Sequence, residues 1–168
     1  MLSTPQTLLV GAALLILTPG CESSATPEVE IGTGEIEFQP LDDGDILDVV
    51  QGPQGGFHLL GSLRVKGIEA GDRSDLESPD NPTITFAVDH EGVDLITIGP
   101  ITQGLSSAPL SQLPFTHQMT GRFAILDIAA DDELDGETVQ FSVSVADSNG
   151  VEVFDSVTLN LIPNPNNL

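Results

Sequence analysis

Three small groups of side chains have the types and spacing that chemistry uses. Asp131, Glu133, Asp135 and Gly136 read Asp-x-acid-x-Asp-Gly, so alternate carboxylates turn toward one centre, as a hard cation such as Ca²⁺ requires. His117-Gln118-Met119 sets an imidazole and a thioether two residues apart, a soft donor pair suited to Cu(I). Cys21, the only cysteine, ends an apolar leader in Thr18-Pro19-Gly20-Cys21 and offers a thiol for covalent modification.

The acidic spacing matches the first half of an EF-hand loop, but position twelve is Ser142 instead of a bidentate Glu, and alternation follows instead of a helix. Two readings stay open. One is a solvated acidic turn; the other is a different Ca²⁺ site, in which Asp127, Asp132 and Asp147 join Asp131, Glu133 and Asp135. The Asp42, Asp43, Asp45 and Asp48 cluster has the same two readings. His117-Gln118-Met119 resembles the end of the motif in periplasmic copper chaperones, which implies a copper site. That family also uses an upstream His-Met pair and a further Met, and here the other methionine is Met1. His58 or His90 would have to complete the site; otherwise Phe115 and Met119 pack on the core.

Catalytic signatures are missing. No Gly-x-Ser-x-Gly occurs, and the neighbourhood of Ser106 lacks the second glycine and the strand-to-helix context of a nucleophile elbow. The glycines of 51–56 precede no Lys and no helix, so that segment reads as a turn and not a phosphate loop. One cysteine makes no intramolecular disulfide and no cysteine-based metal site. The expectation is a non-enzymatic protein without a cofactor, Ca²⁺ being the one candidate.

Residues 8–17 are ten consecutive apolar or small residues, fewer than the roughly 20 that span a bilayer and suited to a signal-peptide core. With Gly20 before Cys21, the leader resembles the lipobox of bacterial lipoproteins. Thr18 stands where that family usually has Leu, and residues 1–7 carry no Lys or Arg. The resemblance implies that residues 1–20 are a signal peptide, that Cys21 becomes the lipidated first residue, and that several acyl chains hold the protein to a membrane. Glu22, where enteric bacterial lipoproteins retained at the inner membrane carry Asp, implies the outer membrane. Read otherwise, the segment is an ordinary secretory leader or a buried strand.

The chain carries 26 acids and 4 bases, a net charge of −22, and none of these lies in residues 1–20. Such a field argues against nucleic-acid binding, which needs Lys and Arg to neutralise phosphates. It argues equally against adhesion of the domain's surface to anionic headgroups. Trp and Tyr are absent, which removes the usual aromatic anchors of a protein interface. A protein partner is expected without a signal that names it.

Residues 21–34 are small, polar and proline-bearing, the composition of a flexible linker. One domain is expected over 35–162, followed by a tail at 163–168. Period-two alternation places Ile36 and Phe38 inward, then a strand at 46–50, then Phe57, Leu59, Leu63 and Val65 inward with His58 pointing away. Further strands are expected at 83–89, 93–98 and 122–128, with a long connection at 99–121 that holds an edge strand or a functional loop. Val139, Phe141, Val143 and Val145 alternate into a hairpin closed at Asn149-Gly150, and Asp155 breaks the apolar phase, which points to a bulge there.

Seven or eight short strands without a helix make an all-β sandwich. Residues 136–161, GETVQFSVSVADSNGVEVFDSVTLNL, resemble the last two strands of immunoglobulin-like and cadherin-like modules, which implies a single immunoglobulin-like β-sandwich. VVQGPQGGFHLLGSLRV is similar to segments of myxobacterial-type lipoproteins, which implies no known activity. Together these readings give a lipid-anchored envelope protein acting as a binding or structural module, with a metal-handling lipoprotein as the alternative.

Overall fold

Seven strands of six or more residues build the structure, and four two-residue strands trim its edges. In the computed structural model, which describes residues 26–167, they run β1 (Glu28–Thr33), β2 (Gln39–Pro40), β3 (Ile46–Gln51), β4 (Phe57–Lys66), β5 (Thr83–His90), β6 (Val93–Asp94), β7 (Ile101–Thr102), β8 (Ser106–Ser107), β9 (His117–Leu126), β10 (Thr138–Ala146) and β11 (Glu152–Pro163). The leader and Cys21 lie outside the described residues. Among those described, no helix is long and apolar enough to cross a membrane.

The strands form two layers. In the first, β4 pairs with β9 on one side and β1 on the other, with β2 and β8 at the margins. In the second, β10 sits between β11 and β5, with β6 and β7 along the outer edge of β5. β3 joins the layers: Ile46 to Val49 run parallel to β11, and Val50 and Gln51 then pair antiparallel with β4. With β4, β9 and β8 as B, E and D, and β11, β10 and β5 as G, F and C, this is the Greek-key order of an immunoglobulin-like sandwich.

One apolar core fills the space between the layers, because alternate residues of every long strand point inward. Ile31, Leu59, Leu63 and Val65 from the first layer meet Phe141 and Leu159 from the second, all with no exposed surface. Phe86 and Phe141 stack with ring centroids 5.7 Å apart. The space they fill opens because Gly61 has no side chain; a Cβ there would lie 2.9 Å from Phe86 Cε1 and 3.1 Å from Phe141 Cζ.

Several expectations are corrected. The 21–34 segment is not all linker, since Val29 and Ile31 alternate with Glu28 and Glu30, and the apolar pair is buried in β1. Ile36 is 82% exposed, because 35–37 is a bend and not a strand, while Phe38 folds back over Gly32. The 93–98 strand shrinks to Val93–Asp94. The hairpin register is unbroken from Thr138↔Asn160 to Ala146↔Glu152, so no bulge occurs at Asp155. The irregularity lies between β4 and β9, where the register shifts between Gly61 and Leu63. Gly121 takes a φ of +71° there, and its N–H donates to Ser62 Oγ at 3.2 Å.

The long 99–121 connection contains two edge strands, a 3₁₀ turn at Leu110–Gln112 and the start of β9. The tail is stitched down as well. Asn164 N–H donates to Val49 O at 3.0 Å, and Asn167 Nδ2 donates to Val49 O at 2.9 Å.

Candidate functional site

The outward face of a sandwich sheet meets water and ordinarily carries polar side chains. At one end of the first layer it does not. Val50 is paired with His58, His58 with Ile125, and Leu60 with Phe123, so three adjacent strands turn apolar or aromatic side chains outward together. The 51–56 turn folds beside them, closed by Gly52 N–H to Gly56 O at 2.7 Å, with Gly55 at a φ of +84°.

These elements enclose a cleft of about 440 Å³ between the turn and the sheet face, lined on the sheet side by His58, Phe123 and Ile125 and on the turn side by Pro53 and Gln54. Its surface is mainly carbon, and among the described residues no charged side chain lines it. His58 is 8% exposed, with its ring centroid 4.3 Å from that of Phe123 at a tilt of 41°. Burial holds the imidazole pKa below its ordinary 6.5, so the ring is neutral at pH 7 and offers one donor and one acceptor nitrogen. Among the described residues nothing hydrogen-bonds to it. Phe123 stays 48% exposed at the mouth.

The sequence places His58 on the outward face of β4, as observed, but not its burial. Phe123 escapes sequence reasoning, although it stands out of phase with the inward Ala124 and Leu126. That outward aromatic beside an outward His is the signal that could have found the cleft.

The metal candidates are placed as follows. Glu133 Oε1 accepts the N–H groups of Ala129 and Ala130, both at 2.9 Å, and so caps the 3₁₀ turn Asp131–Leu134. Asp131 Oδ2 accepts Asn167 Nδ2 at 2.6 Å. Asp127 and Asp135 are exposed. Asp147 cannot join them, because the nine residues of β10 separate it from the acidic turn, roughly 30 Å of extended chain. Its Oδ1 accepts the N–H groups of Asn149 and Val151, both at 2.9 Å, and its Oδ2 accepts that of Glu69 at 3.0 Å. Burial alone would raise its pKa, but the N–H groups of Glu69, Val151, Asn149 and Gly150 outweigh it and hold the carboxyl below its usual range.

His117 and Met119 lie on one face of β9, opposite Val65 and Leu63. Met119 is buried, its sulfur 3.1 Å from Gln103 Nε2, and His117 Nδ1 lies 3.1 Å from Thr116 Oγ1. His58 pairs with Ile125 at the other end of β9, and His90 bonds Glu137 at 3.0 Å, so neither reaches His117. Among the described residues, no three His, Cys, Asp or Glu side chains come together in a way that could hold a metal ion.

The class defined by fold and cleft is an immunoglobulin-like β-sandwich with an apolar recess on one outward face. No family model matches the chain, and neither the curated proteins nor the solved structures yield a match.

Proposed function

We propose that this protein is a non-enzymatic binding module of a bacterial cell envelope, tethered through lipid on Cys21, with outer-membrane placement, and that it binds its ligand in the His58–Phe123 cleft. The observation that carries the binding reading is the outward cluster of Phe123, Ile125 and buried His58 beneath the 51–56 turn. Open apolar recesses on a surface that water should wet are typical of binding sites. The occupant is an uncharged, ring-sized apolar group with one hydrogen-bonding atom. Phe123 supplies a stacking face, neutral His58 supplies the polar contact, and the lack of lining charge disfavours ions.

Titration calorimetry with phenol and benzene tests the cleft. Saturable binding of phenol that weakens in His58→Ala and vanishes in Phe123→Ala supports the reading, and binding unaffected by both replacements ends it. The tether has its own test: radiolabelled palmitate enters the wild-type protein and not Cys21→Ser. Equal labelling removes the anchor from the proposal.

A further inference from the structure

From Leu95 to Gly121 the chain contains no Asp, Glu, Lys or Arg, although the whole molecule carries a net charge of −22. Within that neutral run, Leu110 is 84% exposed and Leu113 is 64% exposed, at the tip of the loop between β8 and β9. Two exposed leucines three residues apart, with no charge between them, make an apolar tip on an otherwise acidic surface.

The loop is rigidly seated at the end of the sandwich where β1 begins. Thr116 N–H donates to Val65 O at 2.9 Å, and Ala108 N–H donates to Thr116 O at 2.9 Å. Beneath the tip, buried Phe115 packs against the Arg64 guanidinium, 4.5 Å from its ring centroid, and against Lys66 Nζ at 5.4 Å. Lys66 in turn pairs with Glu28, the first residue of β1, at 2.6 Å. The leucine tip and the entry of the chain into the fold are therefore neighbours.

Cys21 is seven residues before Glu28, and seven residues span at most about 25 Å even when fully extended. The twelve residues of β11 alone measure roughly 40 Å. If Cys21 carries lipid, the end that bears Leu110 and Leu113 is the end held against the bilayer.

We infer that the Leu110 and Leu113 tip dips into the headgroup and acyl boundary of the membrane that holds the lipid, and so fixes the orientation of the sandwich. This inference rests on the anchored reading above. The lipid is zwitterionic, because the acidic 67–82 loop starts from the same end of β4 and would be repelled by an anionic surface. The cleft, which lies at the opposite end of β4 and β9, then faces away from the membrane.

The test uses the full-length, lipid-modified protein in vesicles of phosphatidylethanolamine and brominated phosphatidylcholine. The chain has no Trp, so Leu110→Trp and Ile46→Trp each report a single position; Ile46 is 63% exposed and pairs with Asn160 in the far half of β11. Emission from position 110 shifts to the blue and is quenched severalfold more than emission from position 46. Protein that floats with the vesicles yet shows equal quenching at both positions overturns the inference and leaves the anchor intact. A blue shift at 110 without bromine quenching means that a second copy covers the leucines, and it also overturns the inference. Wild-type protein that does not float ends the anchored reading, and the inference falls with it.

Discussion

The carboxylate of Asp155 on β11 accepts the backbone N–H of Ile31 on β1 at 2.8 Å, tying together positions 124 residues apart. Asp155 shares the inward phase of Val153 and Val157, where a polar side chain would ordinarily be costly. It is tolerated because its oxygens are used, Oδ2 by Ile31 N–H and Oδ1 by Ser156 N–H at 2.9 Å. Asp155→Ala therefore leaves the Ile31 donor without its partner and destabilises the fold by about 1–3 kcal/mol in urea denaturation. Asp155→Asn, which keeps one acceptor oxygen, loses less. Equal losses for the two replacements would mean that charge and not the hydrogen bond matters.

Asp147 plays the same part at the base of the hairpin turn, where three backbone N–H groups converge on one side chain. Asp147→Ala is expected to lower stability by about 2 kcal/mol and to speed amide exchange at Glu69, Asn149 and Val151. The lowered pKa has a definite sign. The folded state binds its proton more weakly than the unfolded chain, so the stabilisation is complete above the unfolded value of 3.8 and is lost as pH falls through the folded value. Wild-type protein and Asp147→Ala should therefore converge in stability on acidification.

Gly61 lets the two layers approach. The Cβ of Gly61→Ala meets the Phe86 and Phe141 rings at 2.9 and 3.1 Å, inside ordinary contact distance, and these rings are packed against each other. The expected loss is about 1–3 kcal/mol, seen as a lower denaturation midpoint with an unchanged slope. Combining Gly61→Ala with Phe86→Leu makes room and recovers part of that loss.

The cleft should be sensitive to pH. His58 in the fold titrates below 6.5, so its neutral form is favoured, stability is complete above 6.5, and it declines as pH falls from there to the lower folded value. Phenol affinity weakens only as the pH falls through the lower folded value, because protonation removes the acceptor nitrogen and puts a charge into an apolar recess. Calorimetry at a series of pH values downward from 7.5, over which the fold stays intact, should show binding that weakens once His58 in the fold takes up its proton. In His58→Gln that weakening should disappear.

Calcium is expected to act only through screening. The carboxylates of the acidic turn are engaged separately, with Glu133 on the Ala129 and Ala130 N–H groups and Asp131 on Asn167, and Asp147 lies at the far end of β10. Ca²⁺ and Mg²⁺ at matched ionic strength should therefore raise the melting temperature by equal small amounts, relieving the self-repulsion of a −22 charge. A shift with Ca²⁺ alone that is lost in Glu133→Ala with Asp135→Ala would instead establish a specific site.

Much of the fold was legible in single strands. Phe57, Leu59, Leu63 and Val65 all point inward as their spacing requires, and the hairpin turns at Asn149-Gly150 as its residues demand. Local periodicity misled where one residue had two physical uses. Val29 and Ile31 alternate with acids just as a strand should, but Pro27 and the small residues around them read as linker. Asp155 read as a break in phase because a carboxylate can sit inward only beside a donor from a strand far away in sequence. The true bulge carried its sign in Gly121, a glycine inside a strand, whose left-handed φ matters only once Ser62 lies opposite.

Sequence alone determined the all-β class, the period-two cores of the long strands and the acidic field, because these depend on composition and on neighbours two residues apart. Tertiary structure decided which strands became partners, and with that which side chains could act together. Pairing set His58 against Phe123 and Ile125 to form a cleft, separated Asp147 from Asp131 by the length of β10, and brought Leu110 and Leu113 beside the start of β1. Such meetings are set by burial and register across more than a hundred residues, which spacing along the chain does not encode.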